Sequence, residues 1–342
     1  MFSKDIWPVA ITAVLGSMGA LIASALSLPA PYLIGPAALV TLGSLAGLDL
    51  KVPHLVRNIA FLSVGLSMGS AVTPEVLSAA RAWPLSFMTL AAMSLALLLI
   101  VYGVLKAVFR YDPMTSMLAA CPGHLSYVLA LAAGVKSDLV SVGIIQSVRV
   151  LALTLLVPLF VEMSAPGSTQ MPAPSTTIAS LALLMMGAAG FLLGRGLSRL
   201  RVPAALLVGG MVVSSAAHLI HLVEGGIPTW LQIPIYVVLG SMIGSRFAGI
   251  SLSDLKSACM AGLSVTIIAG VISVAVALGV SRILGIPLPA ALIAFAPGGL
   301  ETMAAMAIIL HADPAYVGTH HIVRLIFLSF LMPAMIAWVR NR

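Results

Sequence analysis

The sequence predicts an all-α polytopic membrane protein made of two inverted-topology repeats, each with about five transmembrane helices and one re-entrant hairpin broken at Pro-Gly. Of its 342 residues, 61% are hydrophobic and only 8% are charged, whereas roughly one quarter of residues are charged in soluble domains. Several apolar runs, such as 84–109 and 139–163, reach the roughly 20 residues that a helix needs to cross the hydrocarbon of a bilayer. An internal repeat in the sequence indicates that the chain consists of two copies.

The repeat has an offset of 175 residues. The stretch "AACPGHLSYVLALAAGVKSDLVSVGIIQSVRVLALTLLVP" aligns without gaps to "AFAPGGLETMAAMAIILHADPAYVGTHHIVRLIFLSFLMP". Matching proline, glycine, aspartate and arginine is harder to ascribe to chance than matching apolar residues. The chain therefore divides into membrane repeat 1 (1–163), a polar linker (164–175) and membrane repeat 2 (176–342). The matched pairs include Pro122/Pro297, Gly123/Gly298, Asp138/Asp313, Gly143/Gly318, Arg149/Arg324 and Pro158/Pro333.

Each copy contains six apolar segments. We interpret the first run as a transmembrane helix rather than a signal peptide, because its apolar part exceeds the usual 7–15 residues. The segments are 7–26, 31–47, 55–72, 84–109, 115–134 and 139–163, followed by 176–198, 203–222, 230–247, 257–281, 289–310 and 315–339.

The distribution of Lys and Arg decides between two topologies, because these cations concentrate in cytoplasmic loops. Twelve full crossings would place eight loop cations on one side of the membrane and seven on the other. If the fifth segment of each copy enters and leaves on the same side, thirteen cations become cytoplasmic and only Arg81 and Arg282 stay outside. This topology places both chain termini in the cytoplasm.

The fifth segments also contain the pairs Pro122-Gly123 and Pro297-Gly298. Proline costs about 3 kcal/mol in a helix interior, and irregular backbone at membrane depth is tolerated only where protein or a water-filled cavity satisfies it. Making the sixth segment re-entrant would move only Lys136, so the choice of the fifth depends on these breaks. We therefore expect one re-entrant hairpin in each inverted copy.

Arg149 and Arg324 are the strongest candidates for a functional site. A charge near the bilayer centre costs at least a few kcal/mol, so it is kept where it faces protein, water or a ligand. Asp138 and Asp313 are expected to cap the start of the last helix of each copy, which places each arginine about 16 Å deeper. The half-helix that follows each break points its N-terminus at the same depth and could bind an anion. Two interpretations stay open: the arginines contact a solute, or they bond to backbone carbonyls freed by the break.

Polar residues near the breaks differ between the copies, as expected when one asymmetric solute binds a pseudo-symmetric scaffold. Glu301 is a candidate for coupling to a proton or sodium ion; a first-turn cap or an ion pair with an arginine is the alternative. The candidate substrate-binding residues are Arg149, Arg324, Pro122, Gly123, His124, Ser126, Pro297, Gly298, Gly299, Gln146 and His321.

Other chemistry finds little support. Cys121 and Cys259 lack C-x-x-C spacing, so we expect neither a disulfide framework nor a metal site from them. "HLIHLVE" could hold a metal by spacing, but it has no counterpart in copy one, and we interpret it as a wet helix end. The sequence has no phosphate loop, nucleophile elbow or H-E-x-x-H motif. We therefore expect no metal and no cofactor. The net charge of +7 fits basic cytoplasmic loops, so no nucleic-acid partner is expected.

The paired stretches "CPGHLSYVLALAAGVKSDLVSVGIIQSVR" and "APGGLETMAAMAIILHADPAYVGTHHIVR" resemble the duplicated segment of the AbrB family of bacterial inner-membrane proteins. The resemblance covers both halves and implies a multi-pass protein of the bacterial inner membrane. It departs at His124, where the family tends to have glycine. The family also has labels of gene-expression regulation and of ammonia monooxygenase. An ammonia-oxidising enzyme would need a copper or iron site, and the sequence offers no convincing His/carboxylate cluster, so no enzyme is expected. Nothing in the chain resembles the soluble DNA-binding regulators that share the name.

We expect a secondary transporter of a small anionic or carboxylate-bearing solute, with alternating access around a midplane site. The alternative is a membrane sensor that binds a solute and influences gene expression without transport. The expected partners are the solute, a proton or sodium ion and the lipid bilayer. The oligomeric state stays open, with a homodimer as one option.

Overall fold

A computed structural model describes residues 6–123, 125–164 and 176–341. Within these residues the regular structure is helical, apart from a single bridge between Thr177 and Gly226. This confirms the predicted all-α membrane fold. The helices are α1 (Ile6–Ala25), α2 (Pro31–Leu45), α3 (His54–Gly69), α4 (Pro74–Ala79), α5 (Trp83–Ala107), α6 (Pro113–Ala120), α7 (Leu125–Ala133), α8 (Leu139–Ser164), α9 (Ser180–Arg199), α10 (Ala205–Leu219), α11 (Thr229–Gly244), α12 (Leu252–Leu284), α13 (Leu288–Phe295), α14 (Leu300–Ile309) and α15 (Pro314–Arg340).

Six of these helices, three in each copy, are long and apolar enough to cross a membrane: α1, α5, α8, α9, α12 and α15. Four others, α2, α3, α10 and α11, have 15 or 16 residues and measure about 23 Å, which is shorter than the predicted segments. Left-handed backbone at Ala30 and Ala204 sets where α2 and α10 begin. Alanine rarely adopts this conformation, so the sequence does not predict it at either position.

Each fifth segment is a broken helix, as the Pro-Gly pairs predict. We call α6 and α7 hairpin one, and α13 and α14 hairpin two. In hairpin one, the N–H of Asp138 donates to Thr115 Oγ1 over 2.8 Å. This bond joins the first turn of α6 to the start of α8, so hairpin one returns to the level at which it entered. Its geometry is therefore re-entrant.

The last helix, α15, shows that the hairpins enter from opposite ends. It begins at the base of hairpin two, and Arg324 in its middle reaches the break of that hairpin. Further along, the carbonyl of Ser329 accepts a hydrogen bond from Tyr127 of hairpin one at 3.1 Å. Trp338 then lies 5.9 Å from Tyr102 near the end of α5, the helix that leads into hairpin one. The bases of the two hairpins therefore lie at opposite ends of α15.

The helices form two bundles. The six-helix bundle contains α1–α3 and α9–α11, and the third helix of each copy packs on the second helix of the other copy, α3 on α10 and α11 on α2. Glycines bring these backbones together: a Cβ at Gly65 would collide with the backbone of Leu207, and one at Gly240 with that of Leu33. Small residues allow this close approach in membrane helices.

The eight-helix bundle contains α5–α8 and α12–α15, including both hairpins, with α8 packed along α12. The bundles touch each other mainly through α2 against α8 and α3 against α14. The candidate site lies at this boundary. The division into two repeats with a linker at 164–175 stays a prediction, and residues 165–175 lie outside the described part of the chain.

Candidate solute site at the hairpin tips

Arg324 closes the broken end of hairpin two. Its side chain is 1% exposed, and its Nη1 and Nη2 donate to the carbonyls of Ala296 and Ala294, both over 2.7 Å. One turn earlier on α15, the Nε2 of His321 lies 3.1 Å from the carbonyl of Ile293. The last carbonyls of a helix have no partner within that helix. Two side chains of α15 therefore satisfy carbonyls that the Pro-Gly break exposes.

Arg149 repeats the arrangement in hairpin one. It is also 1% exposed, and its Nη1 donates to the carbonyl of Cys121 over 2.9 Å. Its Nη2 lies 3.3 Å from Oε1 of Gln146, whose own Nε2 donates to the carbonyl of Leu118 over 3.0 Å. Each of the two carbonyl bonds spans 28 residues, as do their counterparts in copy two. The repeat thus preserves a hydrogen-bonding pattern as well as a sequence pattern.

This geometry favours one of the two interpretations of the arginines. Both guanidinium groups bond to backbone carbonyls freed by the breaks, as the structural alternative expects. Within the described residues, the Nε atoms of Arg149 and Arg324 are buried without a hydrogen-bond partner. The Nε–H of each arginine therefore remains unsatisfied, but neither side chain lines the cavity between the hairpins.

The hairpin tips meet in the interior of the protein. Gly123 has φ +87°, a conformation that favours glycine, and a Cβ placed on it would lie 3.5 Å from the carbonyl oxygen of Gly298. Gly298 is itself crowded by the side chain of Met303. The two tips therefore lie in contact range of each other, and the positive φ at Gly123 is the feature that requires glycine there.

A cavity of about 280 Å³ lies between the tips and the six-helix bundle. We call it the tip cavity. The eight-helix bundle contributes Gly123, Leu125, Gln146 and residues 299–301 to its wall. The six-helix bundle contributes Arg57 and Phe61 from α3, Met242 from α11, and Arg246 from the short turn that follows α11.

The tip cavity carries an excess of positive charge. Glu301 is partly buried and interacts electrostatically with Arg246 and Arg57. Two guanidinium groups and one carboxylate leave one positive charge uncompensated at the wall. The N-terminus of α14 also faces the cavity: its N-cap, Gly299, has no side chain, and in its first turn the carboxylate of Glu301 accepts from its own N–H, as the first-turn alternative expects. Such an end attracts anions.

The structure brings together only part of the predicted site. Gly123, Gln146, Gly299 and Glu301 line the tip cavity, whereas Pro122, Pro297 and Gly298 form the breaks behind it. Arg149, Arg324 and His321 bond to the hairpin backbone instead. His124 lies outside the described residues, and so does the side chain of Ser126.

Asp138 and Asp313 are helix caps, as the sequence predicts. Asp313 accepts from the N–H groups of Ala315 and Tyr316 at 2.9 and 3.0 Å, and Asp138 accepts from Val140 and Ser141 at 3.1 Å each. Partial burial raises the pKa of Asp138, but hydrogen bonds from the Ser141 hydroxyl and from these N–H groups together lower the pKa below its ordinary value. A lowered pKa fits a carboxylate that stays charged at the helix start.

Sequence reasoning missed Arg57 and Arg246, which it counted as loop cations. The positions 175 residues away hold Gln232 and Ala71, so neither arginine is repeated. The same asymmetry singles out Glu301. The sequence signal that could have found this site was therefore a charged residue near a repeated motif, with no charged counterpart in the other copy.

The fold and the site define a class of protein: a polytopic membrane protein of inverted repeats in which two re-entrant hairpins meet at a positively charged cavity. A family profile described as "Transition state regulatory protein AbrB" matches residues 32–340. The chain therefore belongs to the AbrB family, as its duplicated segment predicts.

Two relatives match the chain over most of their length. Bacillus subtilis (strain 168) YhjN is 27% identical, over 96% of this chain and 91% of the relative. "Putative regulator AbrB" of Escherichia coli (strain K12) is 25% identical, over 92% of this chain and 91% of the relative. No solved structure matches the chain.

Proposed function

We propose that this protein is a secondary transporter of a small carboxylate-bearing anion that binds in the tip cavity. The observation that carries the proposal is the placement of two unrepeated arginines and one glutamate where the two broken hairpins meet. In secondary transporters, broken half-helices at a repeat interface commonly form the solute site. The cavity lies at the boundary of two helix bundles, where relative motion could expose it in turn to each side.

The charge and size of the cavity indicate the class of solute. Arg57 and Arg246 exceed Glu301 by one positive charge, so a monoanion would neutralise the site. In a low-dielectric environment an unpaired charge is costly, which favours an occupied site. Ligand pockets usually measure about 300–1,000 Å³, and the tip cavity of about 280 Å³ lies at the small end. A short carboxylate fits these limits better than a large organic anion.

Glu301 is the group that we propose couples transport to a proton or sodium ion. Its carboxylate shares the cavity wall with both arginines, so its charge state changes the net charge seen by the solute. A neutralised Glu301 would leave two positive charges for the anion, and an ionised one would leave one. Binding of the anion and of the coupling ion would therefore assist each other.

Arg149 and Arg324 have a different role in this proposal. They hold the broken hairpins by bonding to the exposed carbonyls, and Gln146 links the Arg149 cluster to the cavity wall. Substitution of either arginine should therefore lower the stability of the protein more than it changes solute selectivity.

The second candidate function is a membrane sensor that binds a solute without moving it. The name of the Escherichia coli relative, which includes the word regulator, favours this alternative. The tip cavity would serve a sensor equally well, so the two functions differ in flux rather than in binding.

Charge movement in proteoliposomes tests the proposal. Wild-type protein is challenged with acetate, lactate, succinate and glutamate at two pH values, alongside Arg246→Gln. The matched control is Arg199→Gln, which removes the same charge from an exposed helix end. We expect solute-evoked charge movement, or uptake of the radiolabelled anion where the coupled movement is electroneutral, in the wild type and the control, and its loss in Arg246→Gln.

Calorimetric binding of the same anions separates the two candidates. Symport of a monoanion with one proton would carry no net charge, so uptake of the radiolabelled anion is measured beside the current. Binding without current or uptake in folded protein would support the sensor, whereas neither binding nor uptake would contradict a carboxylate site. Glu301→Gln tests coupling: we expect the pH dependence of the current to disappear, and an unchanged pH dependence would exclude Glu301 from proton coupling.

A further inference from the structure

We infer that a second cavity, at the far end of the contact between α3 and α14, is the opposite vestibule of the same solute route. This inference extends the proposed function, because a transporter needs access from both sides. The second cavity measures about 510 Å³. Its wall includes Ser67 of α3 and Ser70 just after it, Ile308 of α14 and His311 just after it, together with His218 and Gln232. We call it the base cavity, since it adjoins the base of hairpin two.

The two cavities lie at the two ends of one helix pair. Arg57 and Phe61 at the start of α3 line the tip cavity, and Ser67 and Ser70 at its end line the base cavity. Likewise α14 begins at the tip cavity and ends at the base cavity with Ile308. Seven residues separate Glu301 from Ile308, which corresponds to about 10 Å along the helix.

Small and apolar residues fill the space between the cavities. On α14, residues 301, 304, 305 and 308 share one face by helical spacing; Ala304 and Ala305 are both fully buried. On α3, the face that runs from Arg57 to Ser67 includes Val64, which is 1% exposed. We call this stretch the seam. It closes the route in the present conformation, and between the two cavities its α14 face carries no bulky or charged side chain.

The walls of both cavities are divided between the two bundles. In the base cavity, Ser67, Ser70, His218 and Gln232 belong to the six-helix bundle or its loops, while Ile308 belongs to the eight-helix bundle. The tip cavity is divided in the same way. Because the seam is the contact between these bundles, a sliding of one bundle past the other would change both cavities together, as in shear motions of packed helices.

The base cavity differs chemically from the tip cavity. Its side chains are hydroxyl, amide and imidazole groups, several of them already engaged: Gln232 Nε2 donates to Ile227 over 2.8 Å, and His218 Nε2 lies 3.0 Å from the carbonyl of Gly225. Hydrogen-bonding walls of this kind suit a short carboxylate that keeps part of its hydration. The arginines and the glutamate line only the tip cavity, so the tip cavity should bind the anion more tightly.

The predicted topology assigns a side to each cavity. The cations at the start of α3 and the end of α11 are on the predicted cytoplasmic side, whereas the end of α3 leads to Arg81 on the predicted outer side. The base cavity should therefore face outward.

Cysteine accessibility tests the route without requiring a known solute. In a Cys259→Ser background, Ala304→Cys on the seam and Ala291→Cys on α13, both fully buried as alanine, are treated in whole cells with a membrane-impermeant methanethiosulfonate. Because thiol reactivity follows exposure, we expect Ala304→Cys to react at least about tenfold faster than Ala291→Cys. Equal rates would overturn the route along the seam.

Two further variants test the side. Ser70→Cys in the base cavity should react from outside the cell, and Ser198→Cys, exposed on the predicted cytoplasmic side, should react only after the membrane is permeabilised. Reaction of Ser70→Cys only after permeabilisation would overturn the outward vestibule. If the protein shows a solute-evoked current but Ala304→Cys does not react, the route along the seam is wrong and the proposed function stands. If Ala304→Cys reacts but the protein shows neither current nor binding, the proposed function is wrong.

Discussion

The two hairpins share one hydrogen-bonding pattern, but neighbouring side chains hold hairpin two through more hydrogen bonds than hairpin one. We call this the difference in fastening. In hairpin two, side chains bond to four successive carbonyls: His321 to Ile293, Arg324 to Ala294 and Ala296, and Ser273 to Phe295 over 3.1 Å. In hairpin one, Gln146 and Arg149 reach two carbonyls, and the second Nη of Arg149 turns to Gln146 instead. The residue 175 positions before Ser273 is Leu98, which has no hydrogen to donate.

Burial differs in the same direction. Eight of the ten residues of α14 are buried, whereas Leu125 and Leu129 on α7 remain partly exposed within the protein. Among the described residues, hairpin two is therefore the more fully packed wall of the tip cavity, and hairpin one is the less fully packed wall. The duplication preserved the arginine that holds each hairpin, while the residues that face the cavity diverged.

The largest effect should follow from Arg324→Ala. It leaves the Ala294 carbonyl without a partner, at about 1–3 kcal/mol, and removes one of two bonds to the Ala296 carbonyl, which also accepts from the N–H of Gly298 over 2.9 Å. With about 1 kcal/mol for that second bond, we expect the free energy of unfolding in mixed micelles to fall by about 2–4 kcal/mol. Arg149→Ala should cost less, since only one carbonyl loses its partner and the other bond, to Gln146, is long. Equal losses for the two variants would contradict the difference in fastening.

His321 gives a sharper test, because copy one shows an alternative donor. His321→Ala should cost about 1–3 kcal/mol by leaving the Ile293 carbonyl unsatisfied. His321→Gln places at this position the residue that Gln146 provides in copy one, and should restore most of the loss. If thermal unfolding shows no difference between Ala and Gln, the hydrogen bond does not stabilise hairpin two.

Gly123→Ala tests the tip of hairpin one. The positive φ should cost about 1–2 kcal/mol for any residue with a Cβ, although the nearest atom, at 3.5 Å, leaves room for the methyl group. Gly298→Ala meets the Cε, Sδ and Cγ atoms of Met303, and because this unbranched side chain can rotate away, we expect a smaller loss. The comparison is made by chemical unfolding, and a larger loss for Gly298→Ala would show that crowding rather than backbone conformation limits the tips.

The smallest expected effect is that of Ser273→Ala. Removing one hydroxyl donor from the Phe295 carbonyl should lower the unfolding free energy by about 1 kcal/mol. Ser198→Ala, which removes an exposed hydroxyl at the end of α9, is the control and should change stability by less than about 0.5 kcal/mol. Indistinguishable variants would remove Ser273 from the fastening of hairpin two.

Much of the fold could be predicted from the sequence because proline, glycine and aspartate act locally. The Pro-Gly pairs fixed the breaks, and Asp138 and Asp313 marked the helix starts. The packing of α3 on α10 and of α11 on α2 could not be predicted, because a sequence repeat does not show whether a helix packs against its own copy or the other one. The start of α2 at Pro31 was predicted and its end was placed two residues too far, whereas α10 is shorter than predicted at both ends. The left-handed Ala204 that precedes α10 carries no sequence signal.

The site was only partly predictable for a related reason. The helical rise from Asp138 and Asp313 placed Arg149 and Arg324 at the depth of the breaks, but the sequence does not show whether a carbonyl or a solute lies opposite a guanidinium. Arg57 and Arg246 lie near helix ends, where a count of loop cations treats every arginine alike. Only packing turns these two side chains toward the hairpin tips.

The most direct test of the site is the position of a bound anion. Crystals of the full chain grown with 3-bromopropionate would locate the bromine by its anomalous scattering. We expect the strongest peak within the tip cavity, with the carboxylate between Arg57 and Arg246, and its loss in Arg246→Gln. A peak beside the guanidinium groups of Arg149 or Arg324, or no peak in the cavity at concentrations that evoke a current, would contradict the assignment of the site.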